Sequence, residues 1–120
     1  MTAPFHVLPI RYTDDVPAMV HFFEALGVRR RVTSEEYAEL HAETGRVIVH
    51  ASGGGFAAGE TYLDLMAGSV EDGVDAASGA GLEYIVWDEA YGRHAAVEGP
   101  HGEWLWINEE QHDDYGYARH

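Results

Sequence analysis

RHAAVEGPHGEWLWIN, residues 93–108, reads as two alternating runs, Arg93–Glu98 and Glu103–Asn108, joined by Gly99-Pro100-His101-Gly102. Alternation on both sides of a Gly/Pro turn predicts a β-hairpin. In the second run Leu105 and Ile107 point to one side of the strand, and Trp104, Trp106 and Asn108 to the other. The first side is an ordinary core side. The second carries two large aromatics, which serve either a second apolar layer or dimer contact, or the floor of a ligand cleft.

Upstream of the hairpin the same strand signals recur. Phe5 to Tyr12 alternates around Pro9, which lacks a ladder N–H and so predicts an edge position or a bend. Asp14 or Asp15 caps a helix with Pro17 in its first turn; Val16, Met19, Val20, Phe23 and Leu26 form its apolar stripe, and Gly27 closes it. Strands follow at Val28–Ser34, Tyr37–Ala42 and Arg46–Ser52, the last two joined by a turn at Thr44-Gly45. In the last of these Ile48, His50 and Ser52 oppose Val47, Val49 and Ala51. Ser52–Glu60, SGGGFAAGE, reads as a flexible connection, because three successive glycines hold regular structure at high entropic cost. It is no phosphate loop, since no Gly-Lys-Ser/Thr follows.

Thr61–Ala67 is the fifth strand, with Tyr62, Asp64 and Met66 on one side and Leu63 and Leu65 on the other. Val70–Ala80 is a weaker helix with Val70, Val74 and Ala77 on one face, stopped by Gly79 and Gly81. Leu82–Asp88 is the sixth strand, followed by a turn near Ala90–Gly92 and then the hairpin. The acidic, aromatic tail from Glu109 to His120 reads as loose.

The balance of charge restricts function. The chain has 120 residues, 21 acids and 7 bases, for a net charge of −14, and every base is arginine. Residues 1–58 hold seven acids and five arginines; residues 59–120 hold fourteen acids and two arginines. Such a surface repels phosphate backbones, which argues against nucleic-acid binding. It attracts a cationic small molecule, or serves solubility alone. With no cysteine, disulfides and thiolate metal sites are excluded. No apolar run approaches the roughly 18 residues of a membrane span, and no signal peptide is evident, so a cytoplasmic setting is expected. Abundant Ala and Gly with all-Arg basic usage suggests a bacterial source.

The order strand-helix-strand-strand-strand occurs twice, in modules of about 1–58 and 59–120 within one domain. Gly45-Arg-Val-Ile-Val-His-Ala echoes Gly102-Glu-Trp-Leu-Trp-Ile-Asn. Each module is too small to bury its own sheet face, so the two are expected to pair. The fold class is therefore α+β: two paired βαβββ modules whose curled mixed sheets carry helices on one side and a cleft on the other.

Asp15-Val16-Pro17-Ala18-Met19-Val20, Phe22-Phe23, Leu26-Gly27, Tyr37-Ala38, Gly45–Ser52 and Gly99-Pro100-His101-Gly102 stand in an order that resembles the vicinal oxygen chelate superfamily. That superfamily holds glyoxalases, extradiol dioxygenases and bleomycin resistance proteins, and the resemblance is nearest to the bleomycin-binding resistance proteins. It implies a homodimer with two clefts between subunits, and a first strand exchanged between subunits with Pro9 at the bend. It also implies four cleft-facing positions at which metal-dependent members carry His or Glu. Those positions fall at Leu8, at His50 or Ile48, at Tyr62 and at Trp106. Only His50 ligates a divalent metal well, and a site needs three or four such ligands. Shifting a strand by one residue brings His6, Asp64 or Glu103 nearer but turns that strand's polar side inward. The expectation is no metal, no cofactor and no catalytic group.

Leu8, His50, Tyr62, Asp64, Trp104 and Trp106 are instead the expected ligand-binding residues, an apolar and aromatic lining suited to flat organic molecules. Asp64, Glu98 and Glu103 either add electrostatic selection or are solvated surface charges. The resulting reading is an antibiotic-resistance-type binding protein that sequesters a small aromatic, cationic natural product without chemistry. Its rivals are a metal-dependent lyase, isomerase or dioxygenase of the same superfamily, and a metal-free enzyme using His50 or Tyr62 as acid or base on a polyketide.

Overall fold

A computed structural model describes residues 5–89, 92–109 and 118–120. Its elements are β1 (Phe5–Thr13), α1 (Val16–Ala25), β2 (Arg29–Thr33), β3 (Tyr37–His41), β4 (Arg46–Ala51), β5 (Thr61–Ala67), α2 (Val70–Gly79), β6 (Tyr84–Glu89), β7 (Gly92–Glu98), β8 (Trp104–Glu109) and β9 (Ala118–Arg119). The twice-repeated strand-helix-strand-strand-strand order is present, and the class is α+β. The elements fall into two compact units. One holds residues 8–62 and 118–120; the other holds residues 5–7, 63–89 and 92–109. The chain passes from one to the other inside β1, beside Pro9, and inside β5.

In the first unit β1 runs parallel to β4 from Ile10↔Ile48 to Thr13↔Ala51. Pro9, which has no N–H to give, lies just before that ladder. β4 pairs antiparallel with β3, and β3 with β2. Of the two candidate caps, Asp15 is the one used: its carboxylate accepts from Ala18 N–H at 3.1 Å. At the other end of α1, Val28 N–H reaches Phe23 C=O and Gly27 N–H reaches Glu24 C=O, with Gly27 at φ 95°. That is the paired closure only a left-handed residue allows. Val16 and Val20 of α1 bury against Ala38, Leu40 and Val49. Alternation therefore turns Tyr37, Glu39, Ile48 and His50 to the side away from the helix.

The second unit repeats the plan. β6, β7 and β8 pair antiparallel in order, and β8 runs parallel to β5 with Leu65↔Ile107. Ser69 caps α2, and Gly81 (φ 75°) with Leu82 closes it in the manner of Gly27 and Val28. Val70 packs with Ala67, Ala95 and Ile107, and Phe5, Leu65, Val74 and Val97 surround them. α2 approaches β8 closely because Gly73 has no side chain: a Cβ there would stand 2.7 Å from Ile107 Cδ1. Gly73→Leu is expected to cost about 1–3 kcal/mol by overpacking this contact, seen as a lower urea midpoint. An unchanged midpoint would mean that the helix simply moves off the sheet.

Two expectations are corrected. Ser52–Glu60 is a built loop. Gly53 and Phe56 exchange backbone hydrogen bonds at 2.8 and 3.0 Å around Gly54 (φ 58°) and Gly55 (φ 93°). Positive φ at both central residues is what a tight two-residue turn demands, so the glycines specify the loop. It is tied to β1 by Gly59 N–H to Tyr12 C=O at 2.8 Å and by Arg11 to Gly59 C=O at 2.6 Å. The end of the tail is not loose either: Ala118 and Arg119 pair with Thr33 and Val32, and His120 N–H donates to Arg31 C=O at 2.7 Å. An exposed strand edge offers unpaired backbone groups, which a short returning segment satisfies. The rest of the tail, residues 110–117, and most of the turn near Ala90 lie outside the described residues. Strand limits differ from expectation by one or two residues; β6 begins at Tyr84 because Leu82 is spent closing α2. No helix among the described residues is long and apolar enough to cross a membrane.

Candidate functional site

All three tryptophans of the chain lie on the side of the second unit's sheet away from α2. The register makes this so. Trp87 is opposite His94, Ala96 opposite Trp106 and Glu98 opposite Trp104, whereas Leu105 and Ile107 take the helix side. Trp87 meets Trp106 edge-on at 5.2 Å and stacks on His94 at 5.6 Å. Small, buried Ala96 on the intervening strand lets the two indoles lean toward one another. Trp104 and Trp106 keep 44% and 37% of their surface exposed. Edge-to-face packing against Trp87 orders the Trp106 ring, which keeps part of its surface exposed.

On the same side of the sheet runs a polar chain. Asn108 Nδ2–H donates to Asp64 Oδ2 at 2.8 Å, which leaves Asn108 Oδ1 to accept from His94 Nδ1–H at 2.7 Å. Asp64 and His94 are both buried, at 7% and 8% exposure. Burial pushes the Asp64 carboxyl up to about 6; the Asn108 hydrogen bond and the His94 ring pull the other way and do not offset it. Around neutral pH the chain thus holds a carboxylate in an environment that disfavours its charge. Sequence reasoning singled out Asp64 and Trp106 but missed His94, Trp87 and the role of Asn108. The available signal was the shared side of Asn108 and Trp106, one strand from Asp64.

Leu8, His50 and Tyr62 belong to the first unit, where an aromatic cluster forms on the side away from α1. Tyr12 stacks on Phe56 at 4.5 Å; Tyr62 meets both rings edge-on at 5.6 and 5.0 Å; His50 lies 5.4 Å from Tyr12. Phe56 reaches this cluster only because the glycine turn places it there. His50 Nδ1–H donates to Ala51 C=O at 2.8 Å, which fixes its tautomer. Tyr62 is exposed and its hydroxyl donates to Glu60; that neighbouring carboxylate pushes the phenol above its ordinary range, so it stays a proton donor. Leu8 is 2% exposed and packed away from solvent. Three of the six expected residues thus fall in each unit, with His50 and Tyr62 joined through the Tyr12 ring.

Glu103 is occupied with the hairpin, where its carboxylate accepts from His101 N–H at 2.7 Å. Glu98 is exposed beside Trp104. Arg93 turns to the helix side and pairs with Asp88 at 2.9 Å and with Glu71. Among the described residues no group of three or more His, Asp or Glu side chains is placed to hold a metal ion.

No protein-family model and no curated protein matches this chain. Solved structures do. A chain described as NAD-dependent benzaldehyde dehydrogenase from Legionella pneumophila is 19% identical, with a TM-score of 0.64 over 84% of this chain and 96% of that one. A variant of homoprotocatechuate 2,3-dioxygenase from B. fuscum, an extradiol ring-cleaving enzyme, is 16% identical, with a TM-score of 0.54 over 88% of this chain. This chain spans only 32% of that enzyme's length. A bleomycin-binding protein from Streptomyces verticillus, solved with copper(II)-bleomycin, is 20% identical, with a TM-score of 0.44 over 92% of this chain and all of that one. The structural neighbours thus include vicinal oxygen chelate proteins, as the order of motifs anticipated. The likeness to the dioxygenase establishes the fold of this class. It leaves the activity to be argued from the site.

Proposed function

We propose that the chain is a binding protein that captures a small aromatic, cationic natural product, of the kind sequestered for antibiotic resistance, without transforming it. The observation that carries this reading is the collection of all three tryptophans on one sheet side, two of them more than a third exposed. Solvent-exposed indoles held by packing are an unfavourable surface unless they meet a ligand. A planar cation stacked there gains about 0.5–2 kcal/mol from the indole face. The exposed Glu98 carboxylate beside Trp104 adds attraction for positive charge. The four positions at which the resemblance places the ligands of metal-dependent relatives hold Leu8, His50 or Ile48, Tyr62 and Trp106. Of these only His50 ligates a divalent ion well, and one imidazole does not make a metal site. The same reading takes the working form to be a bacterial, cytoplasmic homodimer with its clefts where two copies meet. Sedimentation at micromolar concentration tests that part.

Because every tryptophan lies on this side, intrinsic fluorescence reports it directly. Titration with bleomycin-type, mitomycin-type and aromatic polyketide compounds is expected to quench the emission saturably for at least one class. Silence with all of them, together with turnover in a metal-supplemented lyase assay, would replace capture by catalysis.

A further inference from the structure

The Asp64–Asn108–His94 chain shares the side of the sheet that carries the indoles, and its two ends are buried. We propose that the Asp64 carboxyl, held by Asn108 and backed by His94, is a counter-ion subsite that takes up a cationic centre carried on the stacked ring and, where it is protonated beforehand, releases that proton to solvent in exchange. The inference rests on the capture reading and deepens it by naming the charged group the ligand must bear and what leaves when it binds.

The geometry supports this in three respects. Asp64 Oδ2 is engaged by Asn108, and among the described residues the carboxyl has no ion-pair partner. The neighbouring Trp106 ring is exposed on the same side of the sheet, so a ring lying on it brings its substituents toward Asp64. A buried carboxyl without a cation favours its neutral form, and a cation brought against it reverses that preference. The exchange balances. The neutral carboxylic acid loses its proton to solvent, and the carboxylate formed pairs with the ligand's positive charge. Groups presented to this side by the strands of the same unit are His94 and Glu98 on β7, Asn108 and Trp106 on β8, Trp87 on β6 and the exposed His6 on β1. Of these, His94 acts on Asp64 by charge. Asn108 and His94 are positioning residues: they fix one carboxyl oxygen and leave the other to the ligand.

The test uses the full chain and two planar probes of similar shape, N-methylacridinium, whose charge does not titrate, and neutral acridone. Calorimetry in buffers of different ionisation enthalpy counts protons released. Acridinium affinity is expected to rise about tenfold from pH 5 to pH 7 as the competent carboxylate becomes populated, with close to one proton released at pH 5 and almost none at pH 8. Acridone affinity should stay flat. Asp64→Asn should abolish both the pH dependence and the proton release for acridinium. His94→Gln, which keeps a donor for Asn108 while removing the imidazole, should retain both. If the release vanishes in His94→Gln and persists in Asp64→Asn, the exchanging group is His94 and the proposal falls. Equal, pH-independent binding of both probes also overturns it but leaves aromatic capture intact. Failure of both probes to bind overturns the subsite together with the indole platform for planar rings, and leaves capture to the titration with the natural-product classes.

Discussion

Asp64→Asn is expected to stabilise the protein at neutral pH, by up to about 3 kcal/mol. The Asp64 carboxyl rises from 3.8 to about 6 on folding, chiefly because burial penalises its charge, and each unit corresponds to about 1.4 kcal/mol. The sign follows from proton counting. Between those two values the folded protein holds a proton that the unfolded chain has released, so stability falls as pH rises through this window and levels off above it. Asparagine carries no such cost, and its carbonyl can still accept from Asn108 Nδ2–H. Urea unfolding of both proteins should show the variant's advantage growing by about 2 kcal/mol between pH 4.5 and 7.5. A constant difference across that range would mean that the carboxyl reaches water in solution. On the proposed subsite role, such a gain marks a residue kept for the ligand against the interest of the fold.

Alternation and turn chemistry made most of the fold legible. Gly27 and Gly81 mark both helix ends, and the period of two in Thr61–Ala67 and Trp104–Asn108 assigns each side chain to the correct side of its strand. Two features needed coordinates. The Gly53–Phe56 turn looks like an entropic gap in the sequence, because nothing local says that two positive φ values will be used to set Phe56 on Tyr12. The Asp64–Asn108–His94 chain joins three strands, β5, β8 and β7, and its members become neighbours only once the ladder register is fixed. His94 in particular stands next to Ala95 and Ala96 with no motif around it. Sequence offered its side of the strand only after the hairpin was read, and gave no sign that Asn108 would bridge it to a carboxylate forty-four residues earlier.

Leu40→Ala and Trp106→Ala are expected to separate folding from binding in opposite directions. Leu40 is fully buried between α1 and the sheet, beside Ala38 and Val49. Truncating it removes apolar contact and leaves a cavity, at a cost of about 2–5 kcal/mol. It lies on the helix side of its strand, so ligand affinity measured well below the melting temperature should hardly change. Trp106 is more than a third exposed, so its removal forfeits less core contact than a buried indole would. It is, however, the ring that braces Trp87 and lies 6.5 Å from His94 on the side away from α2. As an aromatic anchor its truncation is expected to weaken acridinium binding about 30-fold or more, with a smaller loss in urea midpoint than Leu40→Ala. Paired urea and calorimetric titrations decide between the two roles. If Trp106→Ala unfolds as readily as Leu40→Ala and binds as well as the parent, the indole is a strut of the sheet, and the exposed tryptophans need another explanation.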